Sequence, residues 1–308
     1  MEYTTLGRTG LRVSVMGLGG GGDSRLGVKE DEARGVRLVR LALDLGVNFI
    51  DTAEAYGTEA AIGRALREVP RGSYVLSTKK TTWAGEPLTP RTIRASLEAS
   101  LRRLGTDYVD IYHLHGVPPE LYSKVRDDCL PTLLEIKREG KVRHLGITEK
   151  FVDDPQHRML EEALKDDLWD VVMVGFNLLN QSARERVFAA TRAKNVGTLI
   201  MFAVRRALSR PDRLREVLSE LQQSGQLSPL DARDGLSFLL DSGATTSLPE
   251  AAYRFCRYEP GAHVVLSGTS DEAHLRQNAV SLGAPELPIE LRRELLRRFG
   301  AVDRVSGH

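Results

Sequence analysis

Four side chains stand where they could act together on one small molecule. Asp51 lies in an apolar, β-rich run at 47–52, and Tyr56 follows in the loop after it. Lys79 closes a second such run at 74–79, and His115 closes a third at 109–115. Taken singly, each is a polar cap on a strand end. A charge there is costly to bury unless it is paired, so an acid, an amine and two hydrogen-bonding groups in consecutive units read as a set that pairs. Their joint chemistry is proton transfer to or from a bound ligand.

Other chemistries compete for the same residues. Gly17-Leu18-Gly19-Gly20-Gly21-Gly22 satisfies GxGxxG after a strand, the fingerprint of a dinucleotide fold. Those glycines should open a helix, however, and Asp23-Ser24-Arg25-Leu26-Gly27 reads as a loop. The acidic residue expected about 20 residues later would be Asp51, which comes later than that. The run is better read as bare backbone that a ligand can approach. His113-Leu114-His115 could begin a metal site, but His144 and His263 fall at the opposite ends of their strands, so no metal is expected. His113 is then a hydrogen-bonded core residue one layer below His115. Lys79 as a Schiff-base amine would need to be desolvated or placed beside another cation, whereas Asp51 would keep it protonated.

These residues need a frame that brings strand ends together. Strand-like runs at 13–18, 47–52, 74–79, 109–115, 142–148, 171–177, 197–203 and 263–269 alternate with amphipathic patterns. The helical patterns lie at 31–45, 58–68, 90–104, 128–139, 155–165, 183–194, 249–257 and 271–281. Such alternation means βαβ units and a parallel sheet. Eight units in this length predict a closed (β/α)8 barrel, whose active sites gather at the C-terminal ends of the strands. Residues 2–14 read as a hairpin turning at Arg8-Thr9-Gly10. Residues 205–247 form a long insertion after the seventh strand, with helical patterns at 211–223 and 231–240, and 288–299 reads as a closing helix. The whole chain, 1–308, is expected to be one domain.

Composition narrows the class. In 308 residues, 43 Lys+Arg face 42 Asp+Glu, a net charge of +1, which gives no bulk electrostatic case for nucleic acid. Cys129 and Cys256 are far apart, so neither a disulfide framework nor a zinc site is expected. The N-terminus shows no signal-peptide pattern, and the longest apolar runs fall short of the ~20 residues that span a bilayer. These features predict a cytoplasmic protein without a membrane partner; oligomeric state is not legible.

The motifs resemble the aldo-keto reductase family over most of the chain. They run in order: L-G-R-T-G-L-R-V-S at 6–14, N-F-I-D-T-A-E-A-Y-G at 48–57, S-T-K at 77–79, Y-V-D-I-Y-H-L-H at 108–115, K-V-R-H-L-G-I-T at 141–148 and G-T-S-D-E-A-H-L-R-Q-N at 268–278. The family's catalytic tetrad falls on Asp51, Tyr56, Lys79 and His115. The resemblance implies an extended NADP(H) or NAD(H) lying across the strand ends, and interconversion of a carbonyl with an alcohol. Tyr56 would protonate the alkoxide left by hydride addition. Lys79 is expected to lower the phenol's pKa from about 10 toward working pH, held by Asp51. His115 would donate a second hydrogen bond to the carbonyl oxygen.

Around the cofactor the resemblance implies contacts from Gly19, Gly20, Thr148, Asn177, Phe202, Gly268, Thr269 and Asn278. Arg205 and Arg206 would reach the pyrophosphate from the insertion. His274 stands where some members place the arginine that meets a 2′-phosphate. Imidazole loses its charge through the neutral range, so both cofactors should bind, with a modest NADPH preference that grows as pH falls from 8 to 6. The family pattern is broken at Glu149, an amide position, at Met173, a glutamine position, and at Met201-Phe202, where an aromatic usually stacks on nicotinamide. These departures keep a second function open, a cofactor-binding barrel with little turnover that acts as sensor or scaffold. Trp83 is the expected flat wall against a small carbonyl or alcohol substrate.

Overall fold

A computed structural model describes residues 1–83 and 87–308. The N-terminal hairpin forms from β1 (Tyr3–Thr5) and β2 (Arg12–Ser14), antiparallel, with Gly10 in the left-handed conformation behind its turn. Eight parallel strands follow: β3 (Met16–Gly19), β4 (Phe49–Asp51), β5 (Val75–Thr81), β6 (Val109–Val117), β7 (Val142–Glu149), β8 (Val171–Gly175), β9 (Gly197–Met201) and β10 (Val264–Ser267). Each pairs with its chain neighbour, and β10 pairs with both β3 and β9, which closes the barrel. The glycine run after β3 leads into a loop and a short 3-10 turn at Arg25–Gly27 rather than a helix, so the dinucleotide-fold reading fails.

The helices of the outer layer are α1 (Glu32–Asp44), α2 (Glu59–Leu66), α3 (Pro90–Leu104), α4 (Tyr122–Arg138), α5 (Arg158–Ala163) and α6 (Ala189–Ala193). The insertion supplies α7 (Arg206–Ser209), α8 (Pro211–Gln223), α9 (Pro229–Asp234) and α10 (Ser237–Asp241) before α11 (Leu248–Arg257). After β10 come α12 (Glu272–Gly283) and α13 (Ile289–Phe299). Several boundaries differ from the periodicity: the 231–240 pattern is divided into α9 and α10 at Gly235-Leu236, and α5 occupies only Arg158–Ala163 of the 155–165 pattern. Helix α4 begins at Tyr122 rather than 128, because Tyr122 and Val125 carry the buried face one turn and a half earlier, amid charges that mask it in the sequence. The 183–194 pattern is divided into a wide turn at Arg184–Phe188 and the short α6.

Barrel strands are buried on both faces and alternate between the interior and the helix layer. Leu6, Val13, Phe49, Val75, Ile111, Val171, Met173, Leu199 and Val264 fill the interior, so the hairpin plugs the end away from the site. On β5 the outward polar residues find carboxylates in the outer layer. Thr78 donates to Glu59 at 2.6 Å, and Lys80 to Glu54 at 3.0 Å. Above the apolar layer, His113 lies in register with Gly146, and a Cβ at 146 would run into the imidazole. Gly146→Ala is therefore expected to cost about 1–3 kcal/mol in urea denaturation, the usual penalty of overpacking; a change below about 0.5 kcal/mol would show that the ring is free to move aside.

Candidate active site

Asp51 is the last residue of β4, and Tyr56 ends a 3-10 turn, Glu54–Tyr56, closed by Gly57 in the left-handed conformation. Strands β5 and β6 each run two residues beyond the ends expected from sequence, so Lys79 and His115 sit inside the barrel mouth rather than on its rim. The Lys79 ammonium donates to Asp51 Oδ2 at 2.5 Å and to the Thr52 carbonyl at 2.7 Å. Ser77 donates to the other Asp51 oxygen at 2.8 Å. The ammonium lies 5.0 Å from the centre of the Tyr56 ring, and the phenol oxygen is 3.0 Å from His115 Nε2. The four side chains form one connected group.

Burial decides their proton affinities. Lys79 is wholly inaccessible to solvent. Burial pushes the Asp51 carboxyl up, against the pull of Lys79 and the hydrogen bond from Ser77. It also pushes the Tyr56 phenol up; Lys79 opposes this but does not overcome it. The expectation that Lys79 brings the phenol down toward working pH is thus corrected: the ammonium limits a rise. Burial and the Lys79 charge lower His115 and His113 well below the usual histidine value, so both rings are neutral. His113 is buried as expected, but neither of its nitrogens has a partner among the described residues. The neutral state makes that tolerable.

The mouth has one aromatic wall. Trp83 stands edge-on to His115, with centroids 4.5 Å apart, and remains 42% exposed. Gly116 lies beneath it with φ +66°, and a side chain there would enter the indole. Opposite, Gly21 touches the Tyr56 ring, where a Cβ would come within 2.7 Å.

The residues expected to hold a cofactor fall into three groups. Gly19, Gly20 and Gly268 present bare backbone at adjoining strand ends: a Cβ on Gly268 would come within 2.6 Å of the Gly19 carbonyl, and one on Gly20 within 2.8 Å of Thr58. Gly268, Thr269, His274 and Asn278 line a cavity of about 1130 Å³ beside the tetrad, between the insertion and α11–α12. Arg210, Arg215 and Arg233 line it too, a set that sequence reasoning missed because the insertion carries no motif. No tetrad residue lines this cavity.

The third group is engaged within the protein. The Thr148 hydroxyl accepts from the Gly116 amide at 2.7 Å. Asn177 donates to the carbonyls of Phe202 and Ser306 and accepts from the Leu179 and Asn180 amides. Glu149 turns away from the barrel mouth to His157 at 3.0 Å and the Gly175 amide at 2.8 Å. Phe202 has φ +66° and sets its ring against Phe151, while Met201 packs on the barrel interior. Arg206 pairs with Asp23, from the loop after β3, at 2.8 Å. Arg205 lies on the Phe202 ring at 4.2 Å and donates to His308 Nδ1 at 3.0 Å. Residues 305–308 are pinned here by Asn180, Asn177, Ala207 and Arg213, which no sequence pattern announced.

The sequence model of the Aldo/keto reductase family matches residues 15–293. L-galactose dehydrogenase of Arabidopsis thaliana is 39% identical over 159 residues, which span 48% of this chain and 48% of the relative. NADH-specific methylglyoxal reductase of Escherichia coli is 30% identical over 220 residues, 64% of this chain and 65% of the relative. Among solved structures, aldo-keto reductase AKR11C1 from Bacillus halodurans, in its holo form, superposes with a TM-score of 0.75 at 25% identity, covering 96% of each chain.

The Lys79–Asp51 pair makes a stability test. Asp51→Asn leaves a buried ammonium without its counter-charge and is expected to cost about 3–5 kcal/mol in urea denaturation. Removing both charges with Asp51→Asn/Lys79→Met should recover most of that loss. A single-variant cost under about 1 kcal/mol would mean that the pair does not carry opposite charges in the folded state.

Proposed function

The chain belongs to the aldo/keto reductase family, oxidoreductases that interconvert carbonyls and alcohols with nicotinamide cofactors, and we propose that it does so with Tyr56 as the proton donor and acceptor. The observation that carries this reading is the phenol of Tyr56, 3.0 Å from His115 Nε2 with the buried Lys79–Asp51 pair behind it. Bare backbone at Gly19, Gly20 and Gly268, continuous with the cavity lined by Thr269, His274 and Asn278, suits an extended dinucleotide. When bound, its nicotinamide supplies or accepts the hydride.

The residues do the rest. In reduction an alkoxide oxygen develops, and Tyr56 delivers a proton to it. Burial keeps the phenol protonated, so the donor is ready at neutral pH. The phenolate left behind faces the Lys79 ammonium, which Asp51 holds in place. Neutral His115, with its proton on Nε2, donates to the same oxygen and orients the carbonyl. In oxidation the phenolate is the base, and its fraction rises with pH. Reduction should therefore be flat from pH 6 to 8, while oxidation climbs into the alkaline range. Small aldehydes, ketones and sugars fit a mouth walled by Trp83.

Tyr56→Phe keeps the ring and removes the proton donor. It is expected to lower reduction of reactive aldehydes by about 10²–10⁴-fold, with NADPH affinity retained in fluorescence titrations. Activity within a few-fold of wild type would remove Tyr56 from the role. Wild-type protein that binds NADPH but turns over no aldehyde or sugar would favour the sensor or scaffold reading.

Cofactor choice rests on the cavity. Among the described residues, Arg215 and Arg233 pair with Asp212 and Asp234, whereas no carboxylate lies within 4 Å of Arg210. A guanidinium keeps its charge at every relevant pH. We therefore propose that Arg210 joins His274 at a 2′-phosphate, where its fixed charge favours NADPH. Arg210→Ala should weaken NADPH, but not NADH, by about tenfold at both pH 6 and pH 8. Equal affinity of the wild type for both cofactors would leave no cation at the 2′ position.

A further inference from the structure

Building on the carbonyl–alcohol reading, we infer that Arg205 receives an anionic group of the substrate, so that the preferred carbonyl compounds carry a carboxylate or a phosphate. The placement of the guanidinium is the first reason. Gly21 touches the Tyr56 phenol, where a Cβ would come within 3.1 Å of its oxygen, and the next residue, Gly22, touches Arg205, where a Cβ would come within 3.1 Å of Nη1. Two consecutive glycines thus bridge the catalytic phenol and the guanidinium. Arg205 takes no part in lining the cavity of about 1130 Å³ beside the tetrad, which Arg210, Arg215 and Arg233 do line.

Its partners are the second reason. Among the described residues no carboxylate lies within 4 Å of Arg205. Asp23, on the same side of the mouth, is taken by Arg206. The Arg205 Nε is buried with no hydrogen-bond partner, and Nη2 has only the His308 imidazole at 3.0 Å. The Phe202 face at 4.2 Å fixes the group without neutralising it. A guanidinium cannot shed its charge, so partial burial without a counter-ion is a cost that an incoming anion relieves. Nη1, beside Gly22 and without a hydrogen-bond partner among the described residues, is the donor left for a carboxylate or phosphate oxygen. Arg25, from the same loop as the glycines, reaches the Tyr56 carbonyl at 3.4 Å and adds a second positive charge to that rim. Trp83 provides the wall next to His115, so the carbonyl carbon would lie between a flat apolar face and a cationic one.

The test compares 4-carboxybenzaldehyde with benzaldehyde, which differ only in the charged group. Wild type should favour the carboxylate in kcat/KM by about tenfold to a hundredfold, the range of a hydrogen bond to a charged group. Arg205→Gln should bring that ratio close to one, and Arg205→Lys should keep part of it. Calorimetric binding of benzoate to protein saturated with NADP⁺ should be lost in Arg205→Gln, a readout that needs no turnover. A wild-type ratio near one overturns the inference. So does a ratio that survives Arg205→Gln; if NADPH and NADH then both bind more weakly, the guanidinium serves the cofactor pyrophosphate instead. If wild type reduces neither aldehyde, the carbonyl–alcohol reading fails, and benzoate binding still decides the role of Arg205.

Discussion

The ammonium of Lys79 has no access to solvent, and the architecture of the barrel mouth follows from keeping it there. A buried charge survives only with an opposite charge and enough hydrogen bonds to replace its hydration. Asp51 and the Thr52 carbonyl supply these from β4 and the loop after it, and Ser77 completes the carboxylate from β5 itself. Burial, with the same charge adding to it, keeps His113 and His115 neutral, and the charge limits the rise that burial imposes on the Tyr56 phenol. One ion pair therefore adds to burial in setting the protonation of three further groups, which β6 and the turn after β4 bring to either side of β5.

The outer layer solves the matching problem on the other face of the sheet. Strand β5 places Thr78 and Lys80 away from the interior, where they would be unpaired polar groups beneath helices. Glu59 at the start of α2 and Glu54 in the turn before Tyr56 take them up, and Glu54 also receives the Thr81 amide. The turn that aims Tyr56 is thus fastened to the strand that carries Lys79, which fixes the phenol relative to the ammonium by more than their own contact.

Much of this was legible from residue type. The eight strands, the hairpin, the insertion helices and the four tetrad positions follow from apolar periodicity and from polar residues where strands should end. The extent of β5 and β6 did not, because Lys80-Thr81 and Gly116-Val117 look like loop until Glu54 and Trp83 are known to lie against them. The direction of the Tyr56 shift was misjudged for a related reason: sequence names the charged neighbours of a group but not how much water is removed around it. Asn177, Glu149 and Phe202 sit at positions where the family pattern suggested cofactor contacts. Each has a partner within the protein that the pattern does not show, Ser306, His157 and Phe151 respectively. A left-handed φ at a phenylalanine leaves no trace in composition. The tail at 305–308 has no periodicity to read, and only its hydrogen bonds reveal that it belongs to the site.

The loop after β3 and the segment after β9 are joined by Asp23 and Arg206, whose side chains are 60% and 44% exposed. An ion pair this open to water contributes about 0–1 kcal/mol, comparable with thermal energy. The link between these two segments is therefore weak, and dissolved salt competes with it over a screening length of about 8 Å at physiological ionic strength. The hold of one segment on the other is thereby tied to the electrolyte around the protein, while the buried Lys79–Asp51 pair below remains insulated from it.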